Sequence, residues 1–200
     1  MPDFEIEKEA ISNGYNLICG VDEAGRGPLA GPVCAAAVIL PLNCDIDGLN
    51  DSKKLTEKKR EELYDVIMSK AVSYGIAFAL VEEIEEYNIL GATFLAMNRA
   101  IGMLKTTPDF ALIDGNQIPK GITIPCKTVI KGDSLSSSIA AASVLAKVTR
   151  DRLMYEYDEK YPQYGFAAHK GYGTKAHYEA IRQYGICEIH RCSFLKNVLK

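Results

Sequence analysis

The sequence predicts an α/β fold in which a five-stranded mixed sheet is flanked by helices and followed by a helical C-terminal extension. Three observations support this fold class. Short apolar runs alternate with helix-periodic segments in the first half, an alanine-rich helical pattern begins near residue 133, and no repeat or long linker divides the 200 residues. Such alternation is typical of a sheet covered by helices rather than of separate helical and sheet blocks.

Five short apolar segments predict the strands of this sheet. They cover residues 16–21, 33–40, 73–81, 110–113 and 122–130. The run at 33–40 is the longest apolar stretch, well short of the roughly 18 residues that a membrane helix needs, and it suits a buried strand. Because Pro125 cannot donate to a sheet ladder, the last strand is expected at an edge.

Helical periodicity predicts the segments between and after the strands. Thr56 is a candidate N-cap for the first of these helices. A second helix repeats apolar residues at steps of three and four over residues 90–104 and stops before a proline. After residue 133 the pattern stays helical, and Thr174 caps a last helix that ends at Gly185.

Composition and charge limit the class of protein. Hydrophobic residues make up 48% and charged residues 24%, close to globular averages, which excludes a disordered or fibrous chain. The net charge of −3 predicts no global attraction to nucleic acid, although local patches and bound cations can supply it. An acidic N-terminus and six cysteines without a C-x-x-C pair predict a cytoplasmic protein with reduced thiols and no membrane association. We expect a core domain over residues 1–158 and a helical extension over 159–200.

A pair of acids followed by a glycine-rich loop is the most informative feature of the sequence. Asp22 and Glu23 end an apolar strand, and residues 25–32 contain three glycines and two prolines. The loop matches the weak dinucleotide pattern G-x-G-x-x-A, which requires a helix that opens at the glycines. A strand-like run follows instead, so a nucleotide-dependent oxidoreductase is a disfavoured alternative. The glycines would still let backbone N–H groups approach another polar ligand closely.

Two further acids lie at comparable positions. Asp114 follows the strand at 110–113, and Asp133 lies at the entry to the alanine-rich helix. Taken singly, each is explained as a turn or helix-capping residue. Carboxylates at the ends of neighbouring strands can also converge, and two unit charges about 5 Å apart repel by about 3 kcal/mol at an effective dielectric of about 20. Four converging acids would therefore take up protons or bind hard cations such as Mg²⁺ or Mn²⁺.

Five motifs occur in order along the chain. They are Asp-Glu-Ala-Gly-Arg-Gly-Pro at 22–28, Asp-Ser-Lys-Lys-Leu at 51–55, Ile-Asp-Gly-Asn at 113–116, Lys-Gly-Asp at 131–133 with Ser-Ile-Ala-Ala-Ala-Ser at 138–143, and His-Lys-Gly-Tyr-Gly-Thr at 169–174. Together they closely resemble bacterial type 2 ribonuclease H, the ribonuclease HII family, over residues 16–194. Arg26 and the few residues before the first motif disfavour the related ribonuclease HIII group. Cys192 departs from the pattern, since many relatives have arginine there.

The resemblance implies a ribonuclease H-like fold and a metal-dependent endonuclease that hydrolyses the RNA strand of RNA–DNA hybrids. It also implies incision on the 5′ side of ribonucleotides embedded in duplex DNA, by two-metal-ion catalysis that leaves 5′-phosphate and 3′-OH ends. The metal-binding catalytic acids carried over by position are Asp22, Glu23, Asp114 and Asp133. Two Mg²⁺ or Mn²⁺ ions are the implied cofactors, and a monomer is expected.

The resemblance also assigns residues to substrate recognition. Peptide groups of Gly25, Arg26 and Gly27 would contact the ribose 2′-OH, the group that distinguishes RNA from DNA. Tyr172 would stack on the deoxyribose that follows the ribonucleotide, and Lys53 would contact phosphate. Two further lysines could share that phosphate contact, namely Lys54 and Lys170.

The remaining polar candidates are interpreted as structural. His169, His177 and His190 are too scattered in sequence for a zinc site, and His177 is expected on a helix surface. Arg150 and Arg152 are expected to form surface ion pairs of small energetic value. One alternative stays open at this point, a non-catalytic hybrid-binding protein whose carboxylates only cap turns.

Overall fold

The computed structural model describes residues 1–196, and within them it contains five strands and six α-helices. The strands are β1 (Ile18–Ala24), β2 (Val33–Ile39), β3 (Ser73–Ala79), β4 (Phe110–Asp114) and β5 (Cys126–Val129). The helices are α1 (Glu5–Ser12), α2 (Glu57–Lys70), α3 (Val81–Gly102), α4 (Ser137–Lys160), α5 (Phe166–His169) and α6 (Lys175–Tyr184). None of these helices has the length and apolarity to cross a membrane, as far as the described residues go.

The five strands form one mixed sheet in the order β3-β2-β1-β4-β5. The first three strands along the chain pair antiparallel, whereas β1 pairs parallel with β4 and β4 pairs parallel with β5. The predicted five-stranded mixed sheet is therefore confirmed. Strand β5 follows directly after Pro125 and lies at the sheet edge, as the proline predicts.

Two helices cover the two faces of the sheet. The alanines of α4 pack on one face with side chains of β2, and α3 packs on the other face. The contact between α4 and β1 is close because β1 has a glycine at its centre. A Cβ at Gly20 would lie 2.2 Å from the backbone carbon of Ser138. This close approach places the first turn of α4 directly against the middle of β1.

Several element boundaries differ from the sequence prediction. Helix α3 begins at Val81, which the sequence assigned to a strand, because the Glu83 carboxylate accepts a hydrogen bond from the Leu80 N–H and closes the first turn. Helix α1 was not predicted because its eight residues are mostly polar. It is held by tertiary contacts, in which Glu7 accepts hydrogen bonds from the Ser136 hydroxyl at 2.7 Å and the Ser138 N–H at 3.0 Å.

The C-terminal region is helical, as predicted, and Thr174 caps α6 through the N–H of His177. It has its own apolar core, which also takes in Leu29 and Ala30 from the loop after β1. The predicted domain boundary at residue 158 falls within α4, which runs to Lys160, and the division into two domains stays a prediction. Residues 197–200 of the predicted extension lie outside the described residues.

Candidate active site

The strand register brings two of the predicted acids to adjacent positions. Val21 of β1 pairs with Ile113 of β4 in a parallel ladder, so Asp22 and Asp114 follow at the same edge of the sheet. Val21 and Ile113 pack towards α3. Because side chains alternate along a strand, Asp22 and Asp114 point to the other face, towards α4.

The other two acids complete a group that we call the acid edge. Glu23 follows Asp22 and therefore points to the α3 face, where the Arg26 Nη1 lies 3.3 Å from its Oε1. Asp133 lies in a 3₁₀ turn, Gly132–Ser134, just before α4. The acid edge consists of Asp22, Glu23, Asp114 and Asp133.

Each carboxylate at the acid edge has a different hydrogen-bond or charge partner. Asp22 is 3% exposed, and its Oδ1 accepts a 2.7 Å hydrogen bond from the Glu23 N–H. The Oδ1 of Asp114 accepts a 2.7 Å hydrogen bond from the N–H of Gly132, which connects β4 to the turn that carries Asp133. The Oδ2 of Asp133 lies 3.9 Å from the Nζ of Lys53.

Negative charge at the acid edge is not fully balanced by the protein. Burial raises the pKa of Asp22 well above its usual value, and the charges of Glu23 and Asp114 raise it further. Burial also raises the pKa of Glu23, although Arg26 opposes the effect. The pKa of Asp133 is raised by burial and by the charge of Asp114. A bound cation would relieve all of these interactions.

The donor set of the acid edge fits a hard divalent cation. All four side chains offer carboxylate oxygens, which favour Mg²⁺ or Mn²⁺ over Zn²⁺. Within residues 1–196, no three His, Cys, Asp or Glu side chains already lie close enough together to hold an ion. The carboxylates are aimed at separate donors, which keeps like charges apart. Ion binding would therefore exchange these hydrogen bonds and contacts for oxygen–metal bonds.

Residues 25–32, which we call the glycine loop, connect β1 to β2 and lead into a strand rather than into a helix. The dinucleotide-binding alternative is therefore wrong, because its pattern needs a helix N-terminus at the glycines. Gly25 has a φ of +98°, and a Cβ there would lie 2.0 Å from the Nε of Arg150. Both the backbone conformation and the close contact require glycine at this position.

The predicted recognition residues meet in one cleft beside the acid edge. The cleft has a volume of about 250 Å³ and is lined by Glu23, the residues 25–27, Lys53 and Tyr172. A Cβ built on Gly27 would lie 3.5 Å from the Cε1 of Tyr172. The Tyr172 side chain is 45% exposed. Three of the five motifs thus line the cleft, and the other two carry Asp114 and Asp133 of the acid edge.

The three lysines that were predicted to contact phosphate differ in their access to the cleft. Lys53 lines the cleft, whereas Lys54 contacts the Ser134 hydroxyl at 3.4 Å. The Nζ of Lys170 lies 3.9 Å from the centre of the Tyr155 ring and donates a hydrogen bond to a backbone carbonyl. Lys53 is therefore the strongest of the three phosphate-binding candidates.

Two buried arginines support the glycine loop, and neither role was predicted from the sequence. Arg150 was expected at the surface, but this prediction is wrong because it is 1% exposed. Its guanidinium donates hydrogen bonds of 3.0–3.1 Å to the carbonyls of Ala30, Pro32 and Lys170. Arg152 does form the predicted surface ion pair, with Glu61.

Arg191 is fully buried beneath the same loop. Its guanidinium donates to the carbonyls of Gly25 at 2.6 Å, Arg26 at 2.9 Å and Gly31 at 2.7 Å. Burial and the neighbouring charge of Arg150 lower the pKa of Arg191 to about 9. The partners are backbone atoms about 160 residues away, so no side-chain pattern could have revealed this role.

The histidines also differ from expectation. His177 was expected on a helix surface, and this prediction is wrong because its side chain is completely buried. His169, His177 and His190, although scattered in sequence, lie in contact with one another. They lie behind the loop that carries Tyr172.

A mixed five-stranded sheet with carboxylates at the ends of its central strands defines a nuclease of the ribonuclease H class. The family model described as Ribonuclease HII matches residues 19–197. The ribonuclease HII of Clostridioides difficile is 59% identical over 96% of this chain and 75% of its own length. That of Caldicellulosiruptor bescii is 55% identical over 98% of this chain and 95% of its own length. The chain belongs to the ribonuclease HII family.

A solved structure agrees with this assignment. The ribonuclease H2 of Pyrococcus horikoshii superimposes with a TM-score of 0.76 and 26% identity, over 92% of this chain and 97% of that one. The resemblance to ribonuclease HII and the ribonuclease H-like fold are therefore confirmed. The protein is a metal-dependent endoribonuclease that cleaves the RNA strand of RNA–DNA hybrids, so the non-catalytic alternative is wrong.

Proposed function

We propose that this enzyme also incises duplex DNA on the 5′ side of an embedded ribonucleotide and leaves 3′-OH and 5′-phosphate ends. The observation that carries the proposal is the cleft in which Glu23, the glycine loop and Tyr172 lie side by side. Such a cleft can hold the reacting phosphate and the sugar beside it at the same time. The working form that we propose is a monomer in the cytoplasm.

The acid edge would hold two divalent ions, Mg²⁺ or Mn²⁺. When bound, such ions activate a water molecule and stabilise the leaving oxygen of a phosphodiester. The chain contributes fixed positions, because Asp22 and Asp114 lie at adjacent strand ends and Gly132 ties the Asp133 turn to Asp114. The ribose 2′-OH is then not needed as the nucleophile and is free for recognition.

The glycine loop would recognise that 2′-OH through its peptide groups. The carbonyls of Gly25 and Arg26 point inward to Arg191. In a trans peptide the N–H points away from the carbonyl, so the N–H groups of Arg26 and Gly27 are directed away from Arg191. A deoxyribose would leave such donors without an acceptor, at a cost of about 1–3 kcal/mol for each buried group.

A cleavage assay tests the proposal directly. A labelled DNA duplex with one ribonucleotide should be cut on the 5′ side of that ribonucleotide with Mg²⁺ or Mn²⁺, and EDTA should abolish the cut. The new 3′ end should be extended by a DNA polymerase. An all-DNA duplex is the control for contaminating nucleases. A cyclic phosphate end, or cleavage of long hybrids without any cut at the single ribonucleotide, would contradict the proposal.

Tyr172 would sense the junction between RNA and DNA by stacking on the deoxyribose that follows the ribonucleotide. Its exposed ring beside Gly27 supports this role. The Tyr172→Ala variant should lose more activity on the single-ribonucleotide duplex than on a long hybrid, whereas Tyr172→Phe should retain both activities. Equal losses on the two substrates would remove the junction-sensing role.

A further inference from the structure

A cluster of three histidines, two of them buried, contacts the turn that carries Tyr172. His169 ends α5, His177 lies in α6 and His190 lies in the segment after α6. His177 and His190 are 0% and 2% exposed, and the rings of His169 and His177 stack with their centres 4.4 Å apart. The chemistry proposed for the acid edge uses none of these side chains.

The hydrogen bonds of the cluster determine which nitrogen of each buried ring carries its proton. The N–H of Cys187 donates to His190 Nδ1 at 2.9 Å, so Nδ1 is an acceptor and the proton of a neutral His190 lies on Nε2. That Nε2 lies 3.1 Å from His177 Nε2, which must therefore accept. The proton of His177 then lies on Nδ1, 2.9 Å from the carbonyl oxygen of Tyr172.

The result is a directed chain of hydrogen bonds that starts at Cys187, passes through two rings and ends on Tyr172. The chain requires both rings to be neutral. A charged His177 would place hydrogens on both facing Nε2 atoms, and a charged His190 would place a hydrogen on Nδ1, against the N–H of Cys187. Burial lowers the pKa of His177 and the pKa of His190 to about 4, which keeps both rings neutral at physiological pH.

The backbone around Tyr172 needs such support. Lys170 and Gly171 both have positive φ values, 51° and 83°, and a non-glycine residue in this region is strained. The N–H of Tyr172 donates to the His169 carbonyl at 2.9 Å, and its own carbonyl accepts from the N–H of Thr174 at 2.8 Å. Two side chains of the cluster contact this turn: His169 Nδ1 accepts from the Gly171 N–H at 3.2 Å, and His177 Nδ1 donates to the Tyr172 carbonyl itself.

We propose that His177, oriented by His190, is a positioning residue that holds the backbone of Tyr172 so that its ring faces the cleft beside Gly27. In this way His177 sets the preference for a ribonucleotide–DNA junction over a continuous hybrid. The inference rests on the junction-sensing role proposed for Tyr172.

Two variants of His177 separate the hydrogen bond from the packing of the ring. His177→Phe keeps a ring of similar shape without the donor, whereas His177→Asn keeps an amide N–H near the position of Nδ1. His177→Phe should lower kcat/KM about tenfold on the single-ribonucleotide duplex, as expected for a lost buried hydrogen bond, and about twofold or less on a long hybrid. His177→Asn should recover most of the loss, and the melting temperatures of both variants report any general loss of folding.

A double-mutant cycle tests whether His177 acts through Tyr172. In the Tyr172→Ala background, His177→Phe should cause no further change in the ratio of the two kcat/KM values. Equal losses on both substrates, or a full additional loss in that background, would overturn the inference. If Tyr172→Ala itself lowers both activities equally, the junction-sensing role fails, and with it the effect on preference.

Nuclear magnetic resonance tests the hydrogen-bond chain without any activity measurement. The protein has three histidines, so a ¹⁵N-histidine-labelled sample shows six ring nitrogens. At pH 7 we expect the Nδ1–H tautomer for His177 and the Nε2–H tautomer for His190. The signals of His177 are assigned as those that are missing from the spectrum of His177→Asn. The opposite tautomers, or a charged ring at pH 7, would overturn the positioning role even if Tyr172 senses the junction.

Discussion

The acid edge and the arginines beneath the glycine loop lie side by side, and they differ in how far the polypeptide compensates their buried charge with hydrogen bonds. At the acid edge, burial and mutual repulsion raise the pKa of Asp22 and the pKa of Asp133, so the ionised carboxylates destabilise the fold. Arg150 and Arg191 are equally buried, but their guanidinium groups donate seven hydrogen bonds to backbone carbonyls.

The comparison indicates that the two regions have different roles. The acid edge needs bound cations, because the polypeptide does not supply enough positive charge to balance its carboxylates. The arginine-supported loop is complete without a ligand, so it can present rigid peptide groups to the substrate. Substitutions in the two regions should therefore have opposite effects on stability.

The largest expected effect is on activity, at Asp22. Asp22→Asn should lower cleavage of a duplex with one ribonucleotide by about 10³-fold or more, which corresponds to roughly 4 kcal/mol of transition-state stabilisation. Because the pKa of Asp22 is raised, its ionised form weakens the fold at neutral pH, and the melting temperature should be unchanged or higher. Cleavage kinetics and thermal unfolding check both parts, and normal activity in this variant would end the four-carboxylate assignment.

Arg191 should show the opposite effect on stability. Arg191→Met leaves the carbonyls of Gly25, Arg26 and Gly31 without their donor and should lower the free energy of unfolding by about 3 kcal/mol or more. For a chain of this size that is a fall in melting temperature of roughly 10 °C. Arg152→Met, at the surface, is the matched control and should change stability by less than about 0.5 kcal/mol. Equal effects of the two substitutions would contradict the supporting role of Arg191.

The third effect concerns the dependence of stability on pH. His177 has a pKa of about 4 in the folded protein against 6.5 ordinarily, and His169 and His190 face it. The unfolded chain therefore binds protons first as the pH falls, and stability is lost between pH 6.5 and pH 4, by up to roughly 3 kcal/mol for His177. Urea unfolding of the wild type and of His177→Phe at pH 7 and pH 4.5 isolates this contribution. The loss on acidification should be smaller in His177→Phe, and equal losses would show that His177 is not buried as a neutral ring.

The smallest effect is expected at Lys53, which links the two regions by lying near Asp133 and lining the cleft. Lys53→Met should weaken substrate binding a few-fold and reduce the slope of log affinity against log salt by about 1, as expected for one lost phosphate contact. The measurement is made in the Asp22→Asn background so that the substrate stays intact. Lys170→Met is the control and should leave the slope unchanged, since its ammonium group lies on Tyr155.

Local patterns were sufficient for most of the fold. Each predicted strand is present, Thr56 and Thr174 cap the helices that they were expected to cap, and Pro125 precedes an edge strand. Errors occurred where a tertiary contact overrode the local signal. Helix α1 is held in place by Glu7 at the start of α4, a partner 129 residues away that no window of sequence contains.

The candidate site likewise contains residues that the sequence predicted and residues whose roles it did not reveal. The acids at strand ends and the glycine loop could be recognised from residue types and order alone. The roles of Arg150 and Arg191 could not, because arginine usually lies at the surface and their partners are backbone carbonyls. His177 was misassigned for a related reason, since its burial results from the packing of α6 against the segment that carries His190.

The sequence by itself determined the fold class, the family and the residue types that meet at the acid edge, because apolar periodicity and ordered motifs are properties of the chain. Only the tertiary structure decided how the charges of the buried acids, arginines and histidines are compensated. Whether a buried ionisable group is held neutral, paired or bonded to a carbonyl depends on atoms that are distant in sequence and adjacent in space. For this protein, those atoms are the backbone of the glycine loop and of the turn at Tyr172.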